Sequence, residues 1–117
     1  ANKLVIIANA VLHRPTKLKD LTVEGIRKVT QDDLRAAEKR GETIKLIAMA
    51  EKVGNDYVLS VKPTLLPRSN PLAKLGAGMM GIMYHTDING TIFAAIEETD
   101  PYPTAAGVLR DIVQAAS

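Results

Sequence analysis

An α+β fold is what this sequence predicts: a mixed or antiparallel sheet with helices packed on one face, in two layers. Three observations carry it. Two stretches rich in strand-forming residues are each interrupted by a glycine-containing turn, Val53-Gly54-Asn55-Asp56 and Asp87-Ile88-Asn89-Gly90. Apolar residues at helical spacing occur near both ends of the chain. Between residues 30 and 41 a start signal and a stop signal bracket a further helix. The resulting order of helix, helix, hairpin, hairpin, helix places the helices on one side of a sheet.

The first helix is under way at the first residue. Leu4, Ile7, Ala8 and Val11 recur at helical spacing, and the apolar residues between them predict a helix buried nearly all round. Pro15 ends it. No capping residue precedes it, so the chain is expected to begin inside a longer sequence. Thr30 followed by Asp33 nearly matches a capping box, with Asp32-Asp33 placing negative charge at a helix N-terminus. That helix runs through Leu34, Ala36, Ala37 and Lys39 to a left-handed C-cap at Gly41. Strands are expected at Ile44–Lys52 and Tyr57–Leu65, and Pro63, Pro67 and Pro71 mark an extended connection too proline-rich for a central strand. A second hairpin pairs Gly81–Thr86 with Thr91–Glu98, its Asn89-Gly90 pair favouring positive φ. Pro101 and Pro103 then break the strand and leave Thr104 to cap a last helix, striped by Val108, Leu109, Ile112 and Val113.

Composition narrows the function classes. At 117 residues and 46% apolar content the chain is long enough for one domain with its own core, so residues 1–117 are expected to form a single domain. Charged residues interrupt every apolar run before it reaches the roughly 18 to 20 residues of a membrane span. No secretory leader is legible. With no cysteine there are no disulfides, no thiolate zinc sites and no cysteine nucleophile, which suits a reducing, cytoplasmic location. The net charge of +2 is spread along the chain and aromatics are few, so neither nucleic acid nor membrane is expected as a partner.

Spacing alone supports little chemistry. His13 and His85 stand far apart, which speaks against a local metal motif, and no metal is expected. Gly76-Ala77-Gly78-Met79-Met80-Gly81 formally matches a dinucleotide fingerprint, but it follows a proline-rich loop and precedes a strand, the wrong context for a phosphate-binding turn. It reads as a flexible entry to that strand.

Three stretches, in order, resemble the catalytic domain of homoserine dehydrogenases. The first is Ala1-Asn2-Lys3-Leu4-Val5-Ile6-Ile7-Ala8-Asn9-Ala10. It is similar to the apolar helix that follows the family's Gly-x-Asp-x-x-x-Lys signature. The second runs from Leu21 to Lys62-Pro63-Thr64-Leu65-Leu66-Pro67 and Asn70-Pro71-Leu72-Ala73. The third is Pro103-Thr104-Ala105-Ala106 with Val108 and Asp111-Ile112-Val113, like the family's closing Pro-Thr-Ala segment. The resemblance implies NAD- or NADP-dependent interconversion of L-homoserine and L-aspartate 4-semialdehyde, on the way to threonine, methionine and isoleucine. It puts Lys3 on the signature lysine, the group that moves the hydroxyl proton, and places Thr104 and Ala105 at the cofactor. A lysine in water titrates near about 10.4, so such a role calls for surroundings that oppose the ammonium form.

The same resemblance implies a nucleotide-binding domain outside these residues, a homodimer, and no activity from the chain in isolation. One departure stands out. Where the family has a glycine-rich segment before Pro-Thr-Ala, this chain has Glu97-Glu98-Thr99-Asp100-Pro101-Tyr102. A non-catalytic oligomerisation or interaction module with the same fold is the alternative. An acylating semialdehyde dehydrogenase is excluded for this domain, because it needs a cysteine to form its thioester.

Overall fold

A computed structural model describes residues Ala1–Ser117, which divide into two compact units, Ala1–Ala73 and Lys74–Ser117. Each builds its own sheet.

The first unit contains helix α1 (Asn2–Ala10), the short strand β1 (Thr22–Val23), helix α2 (Gln31–Lys39) and the long strands β2 (Glu42–Val53) and β3 (Asp56–Pro67). Single 3-10 turns at Leu18–Asp20 and Ile26–Lys28 fold the connection between α1 and α2. Strands β2 and β3 form a hairpin paired from Val53↔Asp56 out to Glu42↔Pro67. Gly54, at φ +61°, supplies the left-handed backbone of its two-residue turn. Strand β1 adds in parallel to β3, so the sheet is mixed and β3 lies at its centre.

Proline in this central strand departs from the expectation that the proline-rich stretch would lie outside it. The physical reason is strand parity. Val61 turns its carbonyl towards the β1 side, where it accepts the Glu24 N–H at 2.7 Å. Pro63, two residues on, turns its backbone the same way, but β1 pairs only as far as Val23↔Val61. Its missing N–H therefore faces an open edge, and the ladder with β2 loses nothing.

Leu59 and Val61 project from one face of β3, and Leu4 and Ala8 of α1 pack onto them to form the core of this unit. Ala50 and Tyr57 close around it. Ala36 and Arg40 of helix α2 line a groove of about 410 Å³ together with Ile44, Pro63 and Leu65 of the sheet. The two-layer α+β arrangement thus holds. Burial of α1 is narrower than its composition suggests. Leu4 and Ala8, one turn apart, are buried, whereas Ile6 is 65% and Val11 50% exposed.

The α2 boundaries follow from local chemistry. The Thr30 hydroxyl accepts the Asp33 N–H at 3.2 Å, and the Asp33 carboxylate accepts the Thr30 N–H at 2.8 Å. Gly41 ends the helix at φ +73°.

The second unit holds strands β4 (Met79–His85) and β5 (Thr91–Glu97) and helix α3 (Tyr102–Ala115). The strands pair antiparallel from His85↔Thr91 to Met79↔Glu97 around a turn closed by Gly90 at φ +69°. Helix α3 starts two residues before Thr104, which is therefore inside the helix and not its cap. The start falls there because Asp100 Oδ1 accepts the Tyr102 N–H at 2.9 Å, and Pro103 is tolerated in a first turn whose N–H groups need no intrahelical partner.

Candidate functional site

Helix α1 carries Lys3 in its first turn, on the exposed side of the helix. The next residue, Leu4, is 4% exposed and Ala8 is fully enclosed, so the opposite side is fixed to Leu59 and Val61. A lysine on such a helix is carried on a rigid element and not on a loop.

The far end of α1 is held by a polar cluster that the sequence reading did not foresee. Asn9 Oδ1 accepts the Thr16 N–H at 3.1 Å, while its Nδ2 donates to the Thr16 carbonyl at 3.0 Å and to the Val5 carbonyl at 2.8 Å. This reciprocal pair turns the chain back along the helix. Arg14 then reaches the β2–β3 turn, where Nε donates to Asp56 Oδ1 at 2.6 Å and Nη2 to Oδ2 at 3.3 Å. A two-point guanidinium–carboxylate contact fixes orientation as well as distance. The Arg14 guanidinium, helped by the Tyr57 N–H, holds the Asp56 carboxyl below the usual carboxylate range. His13, at φ +51°, makes the bend in left-handed backbone, a conformation that histidine tolerates better than most residues. No local pattern announces a pair 42 positions apart in sequence; only the hairpin turn brings Asp56 to this end of the helix.

The groove beneath α2 holds Glu24, Lys28, Asp33 and Arg40, but much of its charge is already committed. Thr30 donates from both its N–H and its hydroxyl to Asp33 Oδ2, which lowers the Asp33 pKa. Arg40 Nε donates to Glu42 Oε2 at 2.9 Å. These contacts serve the helix ends.

Thr104 and Ala105 lie in the first turn of α3. The Thr104 hydroxyl donates to Glu98 Oε1 at 2.9 Å, and the Ala105 N–H is bonded to the Pro101 carbonyl at 3.0 Å. A nicotinamide dinucleotide is an anion through its phosphates, and it would need N–H groups or cations here. The turn presents carboxylates instead, so Thr104 and Ala105 do not fit the phosphate portion of such a cofactor. The glycine-rich stretch before β4 has a different role from the nucleotide turn it mimics. Gly78, at φ +78°, accepts the Glu98 N–H at its carbonyl at 2.8 Å and closes the base of the β4–β5 hairpin. His85 pairs across that hairpin, with Nδ1 3.0 Å from Thr91 Oγ1.

Comparison with known proteins identifies the relatives. A sequence model of the family described as homoserine dehydrogenase matches residues 1–113. Homoserine dehydrogenase from Corynebacterium glutamicum is 36% identical over 99% of this chain, and the match takes in 27% of that protein. The homoserine dehydrogenase of Methanocaldococcus jannaschii is 34% identical over 97% of this chain and 32% of its own length. Among solved structures, a homoserine dehydrogenase from Thiobacillus denitrificans superposes with a TM-score of 0.86 at 31% identity, over 95% of this chain and 26% of that one. The Staphylococcus aureus enzyme gives 0.85 at 27% identity, over 97% and 29% respectively. The chain therefore spans roughly a quarter to a third of the length of the relatives it matches.

Proposed function

The chain belongs to the homoserine dehydrogenase family, and from that premise we propose that it is the substrate-side catalytic part of such an enzyme. The reaction is the interconversion of L-homoserine and L-aspartate 4-semialdehyde with NAD or NADP, in the cytoplasm, on the route to threonine, methionine and isoleucine. Residues 1–117 act in this reading as one functional domain beside a nucleotide-binding domain, and alone they turn over no substrate. The observation that carries the proposal is the end-to-end likeness: sequence and fold match these enzymes over 95 to 99% of the chain.

Oxidation of the alcohol releases a hydride, for which the nicotinamide nucleotide is the acceptor, and a proton from the hydroxyl oxygen. Lys3 is the proposed proton carrier at that oxygen. Its support is positional. Lys3 is in the first turn of α1, whose inner side is packed on β3 and whose far end is tied by Asn9, Thr16, Arg14 and Asp56. A proton-transfer group must stay within hydrogen-bond reach of its substrate, and anchorage of this kind serves that need.

The test is homoserine-dependent nucleotide reduction by the intact gene product and its Lys3→Ala variant. Loss of at least about a hundredfold, with folding retained, is the expected result for a general acid–base. Unchanged turnover in the variant would remove Lys3 from the chemistry. Absence of any turnover in a folded, intact protein would favour the interaction module. One observation favours that second reading: large apolar side chains stand open to solvent on both β5 and α3, with Ile96 at 55% and Leu109 at 63% exposed. The same surfaces support a homodimer, which sedimentation at several concentrations would detect.

A further inference from the structure

A helix N-terminus ordinarily attracts anions, because its first N–H groups lack intrahelical partners and the helix dipole is positive there. Helix α3 has been stripped of both advantages. The Tyr102 N–H is taken by Asp100 Oδ1 at 2.9 Å, and Pro103 has no N–H to offer. The Thr104 hydroxyl is turned onto Glu98 Oε1 at 2.9 Å, and the Ala105 N–H is used by the Pro101 carbonyl. Of the groups that would grip a phosphate, only the Thr104 N–H is left. Charge works the same way: Glu97, Glu98 and Asp100 precede the helix, and neither lysine nor arginine occurs between Glu97 and Leu109.

The position of Glu98 is built and not incidental. Its N–H donates to the Gly78 carbonyl at 2.8 Å. Gly78 has φ +78°, and a Cβ added there would come within 3.3 Å of the Glu98 carbonyl oxygen. Only glycine meets both demands without strain. Gly78 thus fixes the backbone of Glu98, whose carboxylate meets the Thr104 hydroxyl in the first turn of α3.

We propose that this turn excludes anions, with Glu98 and Asp100 as the specificity-determining groups that keep nucleotide phosphates away from Thr104 and Ala105. If the dehydrogenase reading holds, a dinucleotide can bring only a portion without negative charge to this end of α3. The exclusion itself is a property of the folded chain and can be measured without turnover.

The probe is inorganic pyrophosphate, titrated to millimolar concentration into the ¹⁵N-labelled chain while the Tyr102, Thr104 and Ala105 amides are followed. The wild type is expected to show no saturable shift there. In Glu98→Gln/Asp100→Asn both side chains keep an acceptor oxygen and lose their charge, so pyrophosphate should bind at least about tenfold more tightly at those amides. Asp111→Asn, which alters net charge further along the helix, should show no such gain. The two single variants carry the test if the double variant does not fold. Saturable binding by the wild type at these amides would overturn the proposal, as would a gain no larger than that of Asp111→Asn. Neither result bears on homoserine oxidation, so the dehydrogenase reading would be judged separately.

Discussion

The same substitution at two positions of β3 tests which face of the sheet carries the core. Val61 is 6% exposed and packs in the cluster with Leu4, Ala8 and Leu59. Val58, three residues earlier and on the opposite face, is 54% exposed. Threonine has the shape and β-branching of valine, so Val→Thr leaves volume and strand preference nearly unchanged and adds one hydroxyl. At position 61 that hydroxyl enters an apolar cluster in place of a methyl group, at a cost of about 1–3 kcal/mol. At position 58 it meets water, and the change should stay within about 0.5 kcal/mol. Urea unfolding followed by far-UV circular dichroism reads the difference. With a slope of about 1.5 kcal/mol per molar urea, Val61→Thr should lower the midpoint by about 1 M or somewhat more, with the slope unchanged. Val58→Thr should barely move it. Equal losses at the two positions would refute the assignment of faces, and a silent Val61→Thr would mean that α1 is not seated on β3.

Two further outcomes follow from the ends of the helices. Thr30→Ala removes the hydroxyl that accepts the Asp33 N–H, and it should cost about 1 kcal/mol in the same urea titration, whereas Thr30→Ser should recover most of the loss. The carboxyls of Asp33 and Asp56 both titrate below their ordinary range, the first through its bonds to Thr30 and the second chiefly through Arg14. A depressed folded-state pKa contributes stability that is fully present above the unfolded value near 3.8 and is lost as pH falls through the folded value. Acid titration should therefore show stability falling below about pH 4, more gently in Asp56→Asn than in the wild type. An identical acid limb in the variant would show that the contact with Arg14 does not persist in solution.

Where local chemistry determines structure, the sequence was readable. Gly54 and Gly90 sit at positive φ in the two hairpin turns, and Gly41 does the same at the end of α2. The Thr30–Asp33 reciprocal bonds match the capping pattern. What could not be read depends on partners distant in the chain. Pro63 is compatible with a central strand only because β1 stops at Val23, and two residues of strand leave no periodic signal. The Arg14–Asp56 contact is invisible for the same reason. The start of α3 differs from the sequence expectation because Thr104 competes with a better local arrangement, in which Asp100 accepts the Tyr102 N–H and Pro103 occupies the first turn. A signal for this existed: proline is tolerated in the first helical turn, so Pro103 need not precede the helix. Lys3 lies in the first turn of the helix that the apolar spacing predicts. The contact that occupies Thr104 could be suspected only from the acidic stretch that replaces glycines.

The two ends of the chain differ in how fully they are supported, and the difference follows from what each helix buries. Helix α1 places Leu4 and Ala8 against Leu59 and Val61 and adds polar ties at its far end, so the first-turn position of Lys3 is over-determined. Helix α3 buries none of its residues; Val108, Leu109, Ile112 and Val113 are between 55 and 63% exposed. Fourteen residues of isolated helix are marginal in water, and a stripe of four aliphatic side chains at helical spacing is the usual remedy once another surface covers it. The acidic cap supplied by Glu98 and Asp100 acts at the opposite level, on the first turn alone. Removing those charges tests what the turn admits; covering the stripe governs whether the turn is held still. The two effects are separable because Glu98 is tied to Gly78 through its backbone, and that bond persists in Glu98→Gln. Binding of pyrophosphate in the charge-neutral variant would then report the electrostatics of the helix start, free of any contribution from whatever packs against the aliphatic stripe.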